Sequence, residues 1–156
     1  MNFFIKILGK LVWSLHIDMI CLNYDGNVQD ACCISMISAL KNTQLYDVCY
    51  DDDLEKPRFM STSAPFKFIP LKIHNEPVCT TLFALENMIF LCDPNNEEEE
   101  FARTYIVICT VNEEDICLIR KFGGFSIFDK QANLCIDSAL KNGTFIRSKL
   151  KNKLEK

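Results

Sequence analysis

The stretch that decides the fold is Leu22-Asn23-Tyr24-Asp25-Gly26-Asn27-Val28-Gln29-Asp30-Ala31-Cys32. Asp25-Gly26 predicts a tight turn, because Asp tolerates the backbone angles of a turn and Gly adopts a positive φ without steric cost. Asn27 is placed to cap a helix that begins at Val28. The stretch therefore predicts a strand, a turn and a helix in succession.

The segments on either side extend this prediction. Residues 13–21 alternate between apolar and polar positions, which predicts a strand with one face in a core. The helix Val28 to Asn42 is apolar on nearly every side and contains several small residues. Such a helix is typical of one buried against a sheet.

The second half of the chain reads mainly as strands. Residues 46–65 have no periodicity and predict a linker loop. After it we predict strands at 68–74, 78–85, 88–92, 104–111 and 116–122, with hairpin turns at Glu86-Asn87 and residues 112–115. Residues 97–100 predict a solvated acidic segment. An amphipathic pattern from about Ser126 to the C-terminus predicts a final helix, weakened near Gly143. The fold class is therefore α+β.

Composition places the chain among ordinary globular proteins. Its 156 residues fit one domain, or two small ones sharing a core; 49% are apolar and 24% charged. The net charge of −4 provides no global basic signature, so any nucleic-acid contact must be local. No run approaches the roughly 18 apolar residues of a membrane span, so no membrane partner is expected.

Other candidate sites are weak. The nine cysteines have no CxxC spacing, which predicts free, reduced thiols and no metal site. His16, on the polar face of the first strand, favours a surface role over that of a base. Asp51, Asp52 and Asp53 favour a solvated loop over a cation site. The basic residues near the C-terminus form either a solvated tail or an RNA-binding one: Lys141, Arg147, Lys149, Lys151, Lys153 and Lys156.

The quoted stretch, followed by Ala39-Leu40-Lys41-Asn42, resembles the strand-turn-helix of RNase PH-like subunits of the RNA exosome. It is similar to the non-catalytic ring subunits rather than the catalytic ones. Pro70-Leu71-Lys72-Ile73-His74 with Pro77-Val78, and Asp93-Pro94 with Glu97-Glu98-Glu99, resemble segments of the family's second domain. The resemblance extends from about Leu11 to Lys151.

Active members of this family cleave RNA from its 3′ end by phosphorolysis. The resemblance implies a phosphate cradle of the type Gly-Ser/Thr-Arg at the start of the helix, where N–H groups and an Arg bind the anion. Gly26-Asn27-Val28 occupies that place, and Val28 cannot bind an anion. The positions of the two catalytic acids fall on Ile69 and Asn75, which do not ionise. We therefore expect no catalytic, cofactor-binding or metal-binding residues and no cofactor; the resemblance does not identify RNA-contacting residues.

The resemblance also implies an N-terminally incomplete first domain, so that the helix lacks most of the sheet it normally covers. We expect residues 1–47 to form the end of domain 1, 48–65 a linker loop and 66–156 domain 2.

The implied function is a non-catalytic structural subunit of the exosome core ring that supports 3′→5′ RNA processing and degradation. Its partners are other RNase PH-like subunits in a hetero-oligomeric ring, and RNA through the assembled complex. The implied location is the nucleus, including the nucleolus, and the cytoplasm. The alternatives are an active phosphorolytic 3′→5′ exoribonuclease with relocated acids, and a degenerate fragment with no exosome role.

Overall fold

The computed structural model describes residues 3–7, 11–60, 66–85 and 89–154. Its elements in chain order are β1 (Phe3–Ile7), β2 (Leu11–Ser14), α1 (Val28–Lys41), β3 (Gln44–Tyr46), β4 (Val48–Asp51), β5 (Lys56–Phe59), β6 (Phe68–Pro70), β7 (Val78–Ala84), β8 (Phe90–Cys92), α2 (Asn96–Phe101), β9 (Thr104–Thr110), β10 (Ile116–Gly123) and α3 (Asp129–Leu154). They form two compact units, one from the described residues of 1–18 and 40–72, the other from those of 19–39 and 73–156.

The first unit consists of three antiparallel strand pairs, β1 with β2, β3 with β6 and β4 with β5. The predicted strand over 13–21 is wrong beyond Ser14. Ser14 pairs with Phe3, the first residue of β1, so the chain that follows has no described partner strand. Without ladder partners, the following residues lie outside regular structure, and Ile20 and Leu22 are 83% and 94% exposed.

The linker predicted for residues 46–65 is also wrong where the structure describes it. Residues 48–51 and 56–59 form the β4–β5 hairpin. The Asp51 carboxylate accepts hydrogen bonds from the N–H groups of Asp53 and Leu54, so it closes the turn. The period-2 signal is hidden because β5 is exposed at every residue. Residues 61–65 lie outside the described part of the chain.

The second unit is built on a four-stranded antiparallel sheet in the order β10-β9-β7-β8. The predicted pairs β7–β8 and β9–β10 are confirmed, while the predicted turn Glu86-Asn87 lies outside the described residues. Every residue of β7 is buried. This full burial follows because α1 and α3 cover opposite faces of the sheet, which alternate with period two along the strand.

The α3 face contains an apolar core of Leu82, Ile106, Ile108, Cys135 and Ala139. Near the middle of α3, a Cβ on Gly143 would clash with the Thr110 hydroxyl. The glycine that weakens the helix pattern therefore permits close approach of the helix to β9. Four residues after Gly143, the Arg147 guanidinium also joins α3 to Thr110.

The α1 face has a smaller core of Cys33, Cys79, Val107 and Cys109. The helix is confirmed and it packs against the sheet, although its apolar residues extend well beyond the part that is buried. Only a stripe of Asp30, Cys33 and Ile37 is buried, at helical spacing. The four-stranded sheet thus supplies a surface for one stripe of α1.

The prediction of nine free thiols is wrong at two positions, because the structure contains a disulfide between Cys79 and Cys109. These residues are directly opposite each other on β7 and β9, with Cα atoms 4.1 Å apart. Their pairing depends on strand register, which spacing along the chain does not reveal. The other seven cysteines are free.

Candidate functional site

The turn before α1 is shaped by Gly26 and by its contact with the segment that precedes α2. Gly26 has φ +84°, and a Cβ at this position would clash with the Pro94 carbonyl oxygen. Asp25 accepts a hydrogen bond from the Asn96 N–H at 3.3 Å. The predicted turn is confirmed, and only glycine fits both its backbone angle and its packing.

Asp30 in the first turn of α1 joins the helix to the sheet. Its side chain is 9% exposed, and its Oδ1 accepts a hydrogen bond from the Thr81 hydroxyl at 2.7 Å. Its Oδ2 accepts from the Thr81 N–H at 2.7 Å and from Asn27 Nδ2 at 3.0 Å. A buried carboxylate is stable only when its oxygens are satisfied in this way.

The predicted capping role of Asn27 is wrong. Its φ of +43° differs from the extended conformation of an N-cap, and its amide donates to Asp30 instead of accepting from the helix. Its side-chain oxygen is buried without a hydrogen-bond partner. The turn geometry therefore positions the Asp30 carboxylate.

Glu99 of α2 provides the acceptor at this turn. Its Oε2 accepts hydrogen bonds from the Asn27 N–H at 3.0 Å and the Tyr24 hydroxyl at 2.8 Å. The hydrogen bond to Glu99, with desolvation and the negative charge of Glu99, raises the pKa of Tyr24. The segment predicted to be merely solvated and acidic is thus a short helix, held by a capping box between Asn95 and Glu98.

This arrangement resembles an anion site in which the anion is a side chain of the protein. A backbone N–H and a hydroxyl converge on one carboxylate, and Asp25, Asp30 and Asp93 add negative charge around the turn. No Lys or Arg is among the hydrogen-bond partners of these described residues. The turn therefore repels a second anion such as phosphate.

The positions assigned by resemblance belong to both units of the chain. Val28 begins α1 and is 37% exposed. Ile69 pairs with Leu45 between β6 and β3 in the first unit, whereas Asn75 is an exposed residue of the second unit. None of these side chains ionises.

The remaining candidates have local structural roles where the structure describes them. His16 lies 3.3 Å from the Ser14 hydroxyl on the surface. Lys149 lies over the Phe145 ring at 5.1 Å, and the side chains of Lys153 and Lys156 are outside the described set. Among described residues, no group of three or more His, Cys, Asp or Glu side chains has the geometry to hold a metal ion. None of the described helices combines the length and apolar character needed to cross a membrane.

Two family models match the chain in succession. Residues 3–46 match the first domain of the 3′ exoribonuclease family RNase PH, and residues 75–142 match its second domain. The chain belongs to the RNase PH family. The resemblance drawn from the turn and helix is confirmed, as is the α+β fold.

Individual RNase PH proteins are similar over most of this chain. The human exosome complex component RRP45 is 32% identical over 130 residues, which cover 83% of this chain and 29% of that protein. The exosome complex component Rrp42 of Thermoplasma volcanium is 31% identical over 143 residues, covering 90% of this chain and 48% of that protein. A solved archaeal exosome core matches with a TM-score of 0.66 at 25% identity, covering 83% of this chain and 47% of that one. The chain spans less than half the length of each of these RNase PH relatives.

Sequence reasoning about the RNase PH turn missed Asp30 and Glu99. Asp30 carried a signal, because it is a carboxylate within an otherwise apolar helix, where burial demands a partner. Glu99 was part of the segment that resembles the family, but nothing in the sequence distinguished it from the three glutamates beside it. Only the position of α2 beside the turn distinguishes it from its neighbours.

Proposed function

We propose that the chain acts as a non-catalytic structural subunit of an exosome ring and supports 3′→5′ RNA processing and degradation. Its similarity to exosome components of human and archaeal origin supports ring membership. The proposed partners are other RNase PH-like subunits. The proposed location is the nucleus and the cytoplasm. RNA reaches the chain through the assembled complex.

The Glu99 carboxylate at the turn before α1 carries the non-catalytic part of the proposal. Phosphorolysis needs inorganic phosphate held by donors at the start of this helix, in the family pattern. Here the Asn27 N–H and the Tyr24 hydroxyl are already bound to Glu99. A phosphate would have to displace this carboxylate without a compensating cation, because Val28 replaces the family's Arg.

The absence of acids at the two family positions supports the same conclusion by separate chemistry. Ile69 and Asn75 have no carboxylate, so neither can transfer a proton beside a scissile phosphate. Removing the Glu99 charge is therefore not expected to restore turnover, because the catalytic acids would still be missing.

The first test measures phosphorolysis. We predict that the purified chain with single-stranded RNA, inorganic phosphate and Mg²⁺ releases no nucleoside diphosphates. Glu99→Gln removes the competing charge and is expected to stay inactive, as is the matched variant Glu97→Gln on the exposed side of α2. Phosphate-dependent release of nucleoside diphosphates by the parent chain would instead establish an active phosphorolytic exoribonuclease.

The second test measures assembly. We predict that co-expression with a catalytic RNase PH-type exosome subunit yields a complex of defined stoichiometry by native mass spectrometry. An unrelated RNA-binding protein of similar size is the control partner. Failure to associate with any RNase PH-type subunit, by a chain that is folded by circular dichroism, would overturn the scaffold role.

A further inference from the structure

Three aromatic rings form a continuous stack across the α1 face of the four-stranded sheet. Phe83 of β7 stacks on Tyr105 of β9 with centroids 5.3 Å apart, and Tyr105 stacks on Phe122 of β10 at 4.8 Å. The interplanar angles are 24° and 20°. Register produces the stack, because Phe83 is opposite Tyr105 and Tyr105 is opposite Phe122.

The stack becomes exposed towards the edge of the sheet. Phe83 is 3% exposed, Tyr105 is half-buried and Phe122 is 39% exposed. Strand β10 is the outermost strand of the described sheet, so no further described strand continues the ladder beyond Phe122. The Phe122 ring stacks on Tyr105 through one face, and 39% of the residue is exposed where the described ladder ends.

The edge that carries Phe122 is locally basic in a chain whose net charge is −4. Arg120 is exposed and lies two residues before Phe122, on the same face of β10, at about 6.6 Å along the strand. Lys121 is beside it, and Arg103 precedes Thr104, which pairs with Gly123 at the end of β10. Residues 102–111 and 116–126 contain no acidic side chain.

The carboxylates of the acidic turn before α1 lie two to three strand spacings from β10. The turn residue Asp93 follows β8, which is separated from β10 by three strand spacings, or about 14 Å. That distance exceeds the screening length of about 10 Å at 0.1 M salt. Asp30 is nearer, because it binds Thr81, which lies two strand spacings, or about 10 Å, from Arg120 in the same cross-strand row.

Arg103 lines a cavity together with Glu98 and Glu100, which offset its charge. Arg120 is therefore the cation that this edge presents on the same face as Phe122.

We propose that this edge binds single-stranded RNA, with one base stacked on the open face of Phe122 and its phosphate bound by Arg120. A base continues the ring ladder as a further flat π-system, and stacking accepts any base. The guanidinium of Arg120 donates two hydrogen bonds to a phosphate in its fork geometry. This deepens the proposed function, since it names a surface through which a non-catalytic subunit contacts RNA.

The experiment measures binding of a fluorescein-labelled, unstructured oligouridylate of about 12 nucleotides to the full chain by fluorescence anisotropy. Phe122→Ala is expected to weaken binding by about 5- to 100-fold, the range for loss of one base stack. Phe122→Trp keeps a stacking surface and is expected to bind like the parent. Phe128→Ala removes a phenylalanine that is 69% exposed elsewhere in the same unit, so it serves as the matched control.

Arg120→Gln separates the charge from the ring. It is expected to weaken binding. It should also reduce the slope of log affinity against log salt concentration by the amount that one phosphate contact contributes. The proposal is overturned if Phe122→Ala and Phe128→Ala bind RNA equally, if duplex RNA binds as well as the single strand, or if the folded parent binds no RNA. If Phe122→Ala binds RNA as the parent does but no longer binds a protein partner, the edge is a protein interface instead. Ring assembly is measured separately, so its success or failure does not decide this result.

Discussion

Helices α1 and α3 lie on opposite faces of one sheet, and each is fixed to it by a charged side chain that binds a threonine. On the α1 face, the buried Asp30 carboxylate accepts three hydrogen bonds, two of them from Thr81. On the α3 face, the Arg147 guanidinium donates to the Thr110 carbonyl and hydroxyl at 3.1 Å and to the Asn112 carbonyl at 2.6 Å. The two faces use the same device with opposite charge.

The two faces differ in how far the charged side chain is exposed to water and in the size of the apolar core. Asp30 is buried on the face that has a small core of cysteines and one valine. Arg147 is half-buried on the face that has the larger core around Leu82 and Ile108. Partial burial lowers the pKa of Arg147, and the carboxylates of Glu76 and Glu113 act in the opposite direction. The α1 face therefore depends on polar and covalent links, while the α3 face depends mainly on apolar packing.

The largest expected effect is that of Asp30→Ala. Removing the carboxylate leaves the Thr81 N–H and hydroxyl without their acceptor in a buried site. It also removes the shorter of the two hydrogen bonds that the Asn27 amide donates. We expect the free energy of unfolding to fall by about 3–5 kcal/mol. Urea denaturation followed by circular dichroism measures this change.

Asp137→Ala, at an exposed position of α3, is the matched control and should change stability by less than about 0.5 kcal/mol. Equal losses in the two variants would show that Asp30 contributes nothing beyond an ordinary surface charge.

An intermediate effect is expected for Cys79→Ser, which tests the covalent link on the α1 face. The disulfide closes a loop with a sequence separation of 30 residues, so its loss should lower stability by about 2–4 kcal/mol in the absence of reductant. Dithiothreitol should lower the parent to a similar value and leave the variant unchanged. Cys92→Ser, which removes an exposed free thiol, is the control.

Mass spectrometry of alkylated protein gives the decisive count for this link. Seven modified cysteines in the parent agree with the disulfide. Nine would restore the prediction made from sequence, and the α1 face would then lack its covalent link.

The smallest effect is expected for Arg147→Gln on the α3 face. Water can replace much of what a half-buried guanidinium donates, so we expect a loss of about 1–2 kcal/mol. Lys141→Gln, an exposed cation of the same helix, is the control and should have no measurable effect. A loss at Arg147 as large as that at Asp30 would mean that both faces rest on charge equally.

Element types in the second unit were largely predictable. Residues 78–84 and 104–110 are largely apolar runs rich in β-branched residues, which is typical of buried strands. In residues 129–154, apolar residues recur at steps of three and four, which is typical of an amphipathic helix. The first unit was predicted poorly, because β5 has no buried face to impose alternation and the strand after Ser14 depends on a partner. Apolar periodicity in a sequence reflects which side chains are buried. Prediction from it therefore fails where a strand is exposed or where the chain has no partner strand.

The candidate site divides in the same way. Residue identity alone was enough to place a turn at Asp25-Gly26 and to begin a helix at Val28, since these follow from side-chain chemistry and local backbone sterics. Tertiary structure alone decided that Asp30 binds Thr81, that Glu99 fills the turn, that Cys79 faces Cys109 and that three rings stack towards Phe122. Those contacts join residues 17–75 positions apart, and they depend on strand register and helix placement, which no local pattern encodes.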